Sequence, residues 1–161
     1  MYKTINLRRR TTRLYGAYAK YFRLSPRRGV KVYGSVRDLF AERGVPTKRE
    51  INYDEVKGDF WLMKCIECPI TPKAYRIVAV KLKGLWFPGI VMEHVDGVDA
   101  AKYTKYNEKN TDTLLVHIGE NFKRLTGYRH EDLNRYNVLL QRKTGTYKVI
   151  DITTDYATPL V

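Results

Sequence analysis

The chain has 161 residues, the size of one ordinary domain. At 43% hydrophobic and 12% aromatic residues it can build a core, which excludes wholesale disorder. No apolar run approaches the roughly 18 residues of a membrane span. MYKTINLRRR at the N-terminus carries charge with no apolar stretch behind it, so no secretory leader is expected and the expected location is cytoplasmic, in the cytosol of its own cell or of a host.

Thirty Lys and Arg against 17 Asp and Glu give a net charge of +13, and the charge is lopsided: residues 1–37 hold 11 basic side chains and no acidic one. An anionic partner (RNA, DNA or an acidic protein) is therefore expected at that end. Arg8-Arg9-Arg10, Arg13 and Arg27-Arg28, with Tyr15, Tyr18 and Tyr21 interleaved, are the candidate contacts. Against that stands the plainer reading of a solvated basic face. Cys65 and Cys68 form a single CxxC with no second pair to complete a zinc site, so both are read as reduced structural thiols, with redox or metal chemistry as the minority reading.

In chain order, Arg13 to Phe22 alternates around Gly16 as a β segment would, Ser25-Pro26-Arg27-Arg28-Gly29 reads as a turn, and Val30 to Tyr33 as a short strand. From Val36 to about Met63 the pattern is helical, broken at Gly44-Val45-Pro46; Pro69 and Pro72 close it. Tyr75–Val80 and Gly89–Glu93 are β-branched strands, with Gly84 to Pro88 expected as their turn. After Asp96-Gly97, Val98 to Tyr106 reads as a short helix. A longer one presents Leu114, Leu115, Ile118, Phe122 and Leu125 on one face and ends at Gly127. Asn137–Leu140 and Tyr147–Asp151 flank a Lys143–Thr146 turn as a β-hairpin.

The stretch that carries chemistry is His130-Glu131-Asp132-Leu133-Asn134-Arg135-Tyr136-Asn137, followed 19 residues after Asp132 by Asp151 in Val149-Ile150-Asp151. Phosphoryl transfer from a nucleotide needs a carboxylate beside the acceptor hydroxyl and oxygen ligands for Mg²⁺ on the phosphates. Asp132 suits the first task; Asn137 and Asp151 suit the second. This pattern resembles the catalytic and metal-binding loops of the protein-kinase-like fold. Val91-Met92-Glu93-His94-Val95 resembles its inter-lobe hinge. The resemblance implies that adenine pairs with the Glu93 carbonyl and the Val95 amide, with Met92 guarding the pocket behind. Val30-Lys31-Val32 resembles the strand whose lysine holds the α- and β-phosphates. Asp54-Glu55 followed by Trp61-Leu62 resembles the helix whose glutamate orients that lysine, with Asp59 one turn later able to substitute. Of the glycines of the phosphate loop only Gly16 remains.

Val78-Ala79-Val80-Lys81 also reads like the lysine strand, but Lys81 precedes Glu93 by only 12 residues, too few for the required helix; Lys31 precedes Glu55 by 24. Ile152-Thr153 stands where most protein kinases have Phe-Gly, and ten residues follow Asp151. That extent is similar to RIO-type atypical kinases above all, to the small kinase of the KEOPS assembly and to short secreted effector kinases. The resemblance implies an α+β, two-lobed fold truncated after the metal-binding aspartate. Its parts are a β-rich N-lobe over 1–92, a hinge over 93–97 and a reduced C-lobe over 98–161. The activity it implies is Mg²⁺- and ATP-dependent transfer to Ser/Thr hydroxyls of a protein substrate, with no activation segment. The alternatives are a nucleotide-dependent ATPase, switch or pseudokinase acting on a partner, and a basic nucleic-acid-binding module.

Overall fold

Period-two alternation of β-branched and aromatic residues makes the first half of the chain a sheet. The computed structural model, which describes residues 1–7, 13–15, 19–34, 44–103, 108–141 and 143–160, is α+β. It divides into two units, Met1–Phe60 with Ala74–His94 and Trp61–Lys73 with Val95–Val161. Among the described residues no helix is long and apolar enough to cross a membrane.

The first unit holds β1 (Lys3–Leu7), β2 (Arg13–Tyr15), β3 (Ala19–Ser25), β4 (Arg28–Tyr33), β5 (Ala74–Leu82) and β6 (Leu85–Glu93) in one sheet of order β1-β5-β6-β4-β3-β2. β1 runs parallel to β5; the other pairings are antiparallel. One face carries the core: Leu7, Phe22, Val30, Val32, Val78, Val80, Phe87 and Val91 are buried together, with Ile5, Leu82 and Leu85 packed on them. Full burial of such a side chain contributes about 2 kcal/mol. The opposite face receives the alternate residues of β4, Lys31 and Tyr33. Helix α1 (Asp54–Cys65) begins in this unit, with Val56, Asp59, Met63 and Ile66 all buried at helical spacing along it and beyond its end.

The expected turn Gly84–Pro88 is corrected: the turn is Lys83-Gly84, both at positive φ, and residues 85–88 belong to β6. Pro88 is tolerated there because the β4 pairing stops at Gly89, so β6 is paired only to β5 where the proline lacks its N–H. β1 was not expected at all. The first half of the expected 36–63 helix, up to residue 43, lies outside the described residues, and so does Gly16; a 3-10 turn at Lys48–Glu50 precedes α1.

In the second unit β7 (Val98–Asp99) and α2 (Ala100–Tyr103) replace the expected helix 98–106, because Val98 and Asp99 pair with Leu140 and Leu139 of β9 (Val138–Gln141) instead of winding. Residues 104–107 lie outside the description. α3 (Glu108–Thr126) buries Ile118 and Phe122 completely, with Leu114 and Leu115 half-buried. Leu125 is exposed, contrary to expectation, because it falls in the last turn beyond the packed stripe. Gly127 caps that helix at φ 73°, its N–H donating to the Lys123 carbonyl at 2.9 Å. β9 forms the expected hairpin with β10 (Thr146–Val149), and β8 (Tyr128–His130) pairs antiparallel with β11 (Ala157–Pro159). The loop 131–137 thus joins β8 to β9, and the loop 150–156 joins β10 to β11.

Candidate functional site

Two constellations hold the sequence-predicted residues, one in each unit. In the second unit the loop 131–137 is built by short-range polar bonds. Asn134 donates its side-chain amide to the Asp132 carbonyl and to Asp132 Oδ1, both at 3.1 Å, while its own Oδ1 accepts the Tyr136 N–H at 2.9 Å. Asn137 N–H donates to the Asn134 carbonyl at 3.0 Å, and its Nδ2 donates to the Asp132 carbonyl at 2.8 Å and to Asp132 Oδ2 at 3.1 Å. Asx-type turns of this sort are what Asn and Asp side chains do best. The result is an exposed carboxylate at Asp132 with one amide donor on each oxygen, so its orientation is set by the loop itself. Asn137 is buried, and with its nitrogen committed to Asp132 its amide oxygen is the end left for a cation.

The neighbouring loop is stapled to this one. Ile150 N–H donates to the Asn137 carbonyl at 2.8 Å and Glu131 N–H to the Tyr156 carbonyl at 2.7 Å. Asp151 follows at φ 58°, in the left-handed region that Asp and Asn adopt more readily than other non-glycine residues. Ile152 is buried, and Thr153 Oγ1 is a buried hydroxyl without a hydrogen-bond partner among the described residues. The backbone therefore brings Asp132, Asn137 and Asp151 to two adjoining loops. Among the described residues no group of three or more His, Cys, Asp or Glu is arranged to hold a metal ion. Asn137 and Asp151 carry an amide oxygen and a carboxylate, oxygen donors of the type that could hold a hard cation such as Mg²⁺.

His130, read from sequence only as part of the motif, is buried edge-on against Phe122 at 5.8 Å and 72°. Neither ring nitrogen has a hydrogen-bond partner among the described residues. Burial pushes its pKa down, against the opposing pull of the Ile150 backbone and the Asp151 and Asp132 carboxylates.

In the first unit Lys31 is nearly buried on β4, its Nζ 5.1 Å from the Tyr33 ring centroid on the same strand face. Tyr33 donates its hydroxyl to Asp59 Oδ2 at 2.9 Å. Asp59 is 1% exposed, whereas Glu55 is exposed at the start of α1 and lines a cavity of about 180 Å³ with Tyr33, Ile51, Trp86, Phe87 and Pro88. The carboxylate turned toward the lysine strand is thus Asp59. The buried positions 56, 59, 63 and 66 share one helical face, and Glu55, four residues before Asp59, stands at the edge of that same face. Losing the Tyr33 hydroxyl leaves a buried carboxylate one donor short. Tyr33→Phe is therefore expected to cost about 1–3 kcal/mol, while Glu55→Gln stays within about 0.5 kcal/mol. Urea midpoints at constant m-value check this, and equal losses would contradict the assignment of Asp59 as the inward carboxylate.

Lys81, by contrast, is exposed, with its Nζ 5.5 Å from the Trp86 ring centroid. Met92 is buried and pairs with Gly29; Glu93 pairs with Arg28; Val95, in the second unit, is buried. Gly16, Arg8-Arg9-Arg10 and Tyr18 lie outside the described residues. Arg27 and Arg28 are exposed, the Arg28 guanidinium 5.3 Å from the Tyr75 ring centroid; Tyr21 is half-buried and not displayed to solvent as a stacking platform would be. Cys65 is exposed and so contributes no core packing, and half-buried Cys68 Sγ accepts the Thr71 hydroxyl at 3.7 Å; both thiols are free. No protein-family model matches the chain, and no curated protein matches it.

Proposed function

We propose that the chain is a minimal, atypical Ser/Thr-type protein kinase that uses ATP and Mg²⁺, on a two-lobed kinase-like fold closest to the RIO type. The observation that carries this reading is the pair of adjoining loops in the second unit: Asp132 held by amides on both oxygens, and Asp151 directly after Ile150, whose N–H is bonded to the Asn137 carbonyl. Supporting it in the first unit is the chain order of hairpin, lysine strand, helix, strand pair and then Glu93-His94-Val95.

In this reading Asp132 orients the acceptor hydroxyl and takes its proton. Asn137 Oδ1 and the Asp151 carboxylate hold the metal ion, which neutralises phosphate charge when bound. Lys31 holds the α- and β-phosphates, and Glu55, or Asp59 one turn later through the Tyr33 hydroxyl, orients the face of β4 that presents it. Met92, the Glu93 carbonyl and the Val95 amide receive the adenine. The protein substrate is recognised by surfaces other than an activation segment, and the basic 1–37 region is the candidate contact for an acidic one.

Incubation with γ-labelled ATP, Mg²⁺ and generic protein substrates tests the reading. Label on protein Ser or Thr supports it. Release of free phosphate alone selects the ATPase alternative, and neither product refutes nucleotide chemistry altogether.

A further inference from the structure

Tyr21 lies on β3 directly opposite Lys31. Its side chain reaches over the backbone of Gly29: a Cβ placed on that glycine would come 1.9 Å from the Tyr21 hydroxyl oxygen and 2.1 Å from Cζ. Gly29 pairs with Met92, so the ring lies beside the residue assigned to guard the base pocket. The Tyr21 hydroxyl sits 3.0 Å from His94 Nδ1 and 3.5 Å from the Glu93 carbonyl oxygen, and the ring stacks on the His94 imidazole at 5.8 Å and 17°. Desolvation, reinforced by the Glu93 carboxylate and opposed by Arg23, holds the phenol well above its ordinary pKa, as expected of a hydroxyl seated in a slot.

We infer that Tyr21 controls nucleotide access: its ring and hydroxyl occupy the place of the purine at Gly29 and Glu93, and a base must displace them to bind. The inference rests on the kinase reading, which makes the Glu93 carbonyl the acceptor for an adenine amino group. A hydroxyl within 3.5 Å of that oxygen and an aromatic ring already over Gly29 stand where a purine ring would have to lie. Glycine at 29 makes the arrangement sterically accessible, since any β-carbon there collides with the tyrosine. Once displaced, Tyr21 gives up its bond to His94 for water, so the base meets a site open only part of the time. Apparent affinity is lowered by that open fraction.

The test is calorimetric titration of the full chain with Mg-ATP and, separately, with adenosine, which engages the base slot without phosphates. Tyr21→Ala and Gly29→Ala, one deleting the ring and the other expelling it, are expected to tighten both ligands by about tenfold or more. Tyr21→Phe, which keeps the ring and loses the hydroxyl bonds, is expected to gain less. In the wild-type chain, saturating adenosine is expected to return one tyrosine phenol toward the ordinary range in an ultraviolet pH titration. That readout needs no variant to fold. Measurable wild-type binding that is unchanged or weakened in both alanine variants, or adenosine binding with no phenol released, overturns the role of Tyr21 and leaves the nucleotide site standing. If no form binds either ligand at millimolar concentration, both this inference and the kinase reading fall.

Discussion

Asp132→Asn is expected to lower phosphoryl transfer by about 10²- to 10⁴-fold while Mg-ATP binding stays within a factor of about two. The asymmetry follows from position. Asp132 is exposed at its loop tip, and its carboxylate is directed by Asn134 and Asn137 toward whatever approaches from solvent. In the kinase reading it therefore serves the acceptor and not the nucleotide. Asparagine keeps the size of the side chain but cannot take a proton. Asn137→Ala is expected to lose both functions partially, because it removes one of the donors orienting Asp132 and the oxygen that the kinase reading assigns to the metal ion. Turnover assays paired with equilibrium binding separate the two. Full transfer in Asp132→Asn would remove it from the catalytic role and reduce the loop to a structural turn.

The second large effect is a ranking of two lysines. Lys31→Met is expected to lower turnover by about 10²-fold or more with the fold intact, and Lys81→Met to leave it within about twofold. The local motif favours Lys81, since Val78-Ala79-Val80-Lys81 reads more like a kinase lysine strand than Val30-Lys31-Val32 does. The surroundings favour Lys31. It is nearly buried on a central strand, in register with Ile90 and one position from Val30 and Val32, on the face that carries Tyr33 and its bond to Asp59. Lys81 is exposed near the end of β5 against Trp86, a contact worth about 0.5–1 kcal/mol to stability and nothing to a phosphate. Circular dichroism of both variants with a steady-state assay checks the ranking, and the reverse order would displace the first-unit assignments without touching Asp132, Asn137 or Asp151.

Much of the strand framework was legible because its signals are local. β3, β4, β5, β6 and the β9–β10 hairpin are written in β-branched runs bounded by glycine and proline, and α3 in a stripe capped by Gly127. What was not legible depends on partners distant in the chain. β1 is a strand only because Val78 to Leu82 stand beside it in parallel register, and five residues cannot announce such a pairing. β8 and β11 are three residues each and exist through one another. Val98 and Asp99 favoured a helix until β9 offered them a ladder.

In the candidate site, the spacing of Asp132, Asn137 and Asp151 could be read, but the double amide grip on Asp132 and the left-handed Asp151 could not. Choosing between Asp59 and Glu55 was not legible, since the two stand one turn apart on α1 and only the burial of Asp59 and its bond to Tyr33 distinguish them. Nor was the seat of Tyr21: it depends on an absent side chain at Gly29 and on His94, residues far apart in sequence that the structure places together.

Calorimetric titration of the full chain with ATP, in the presence and absence of Mg²⁺, beside Asp151→Asn, puts the central assignment at risk most directly. Wild-type protein is expected to bind ATP when Mg²⁺ is present. Removing the ion, or replacing Asp151, is expected to weaken binding by about tenfold or more, since either change takes away the same bridge between chain and phosphates. Binding indifferent to both Mg²⁺ and Asp151, or no binding under any of these conditions, would contradict the assignment of a kinase-like nucleotide site.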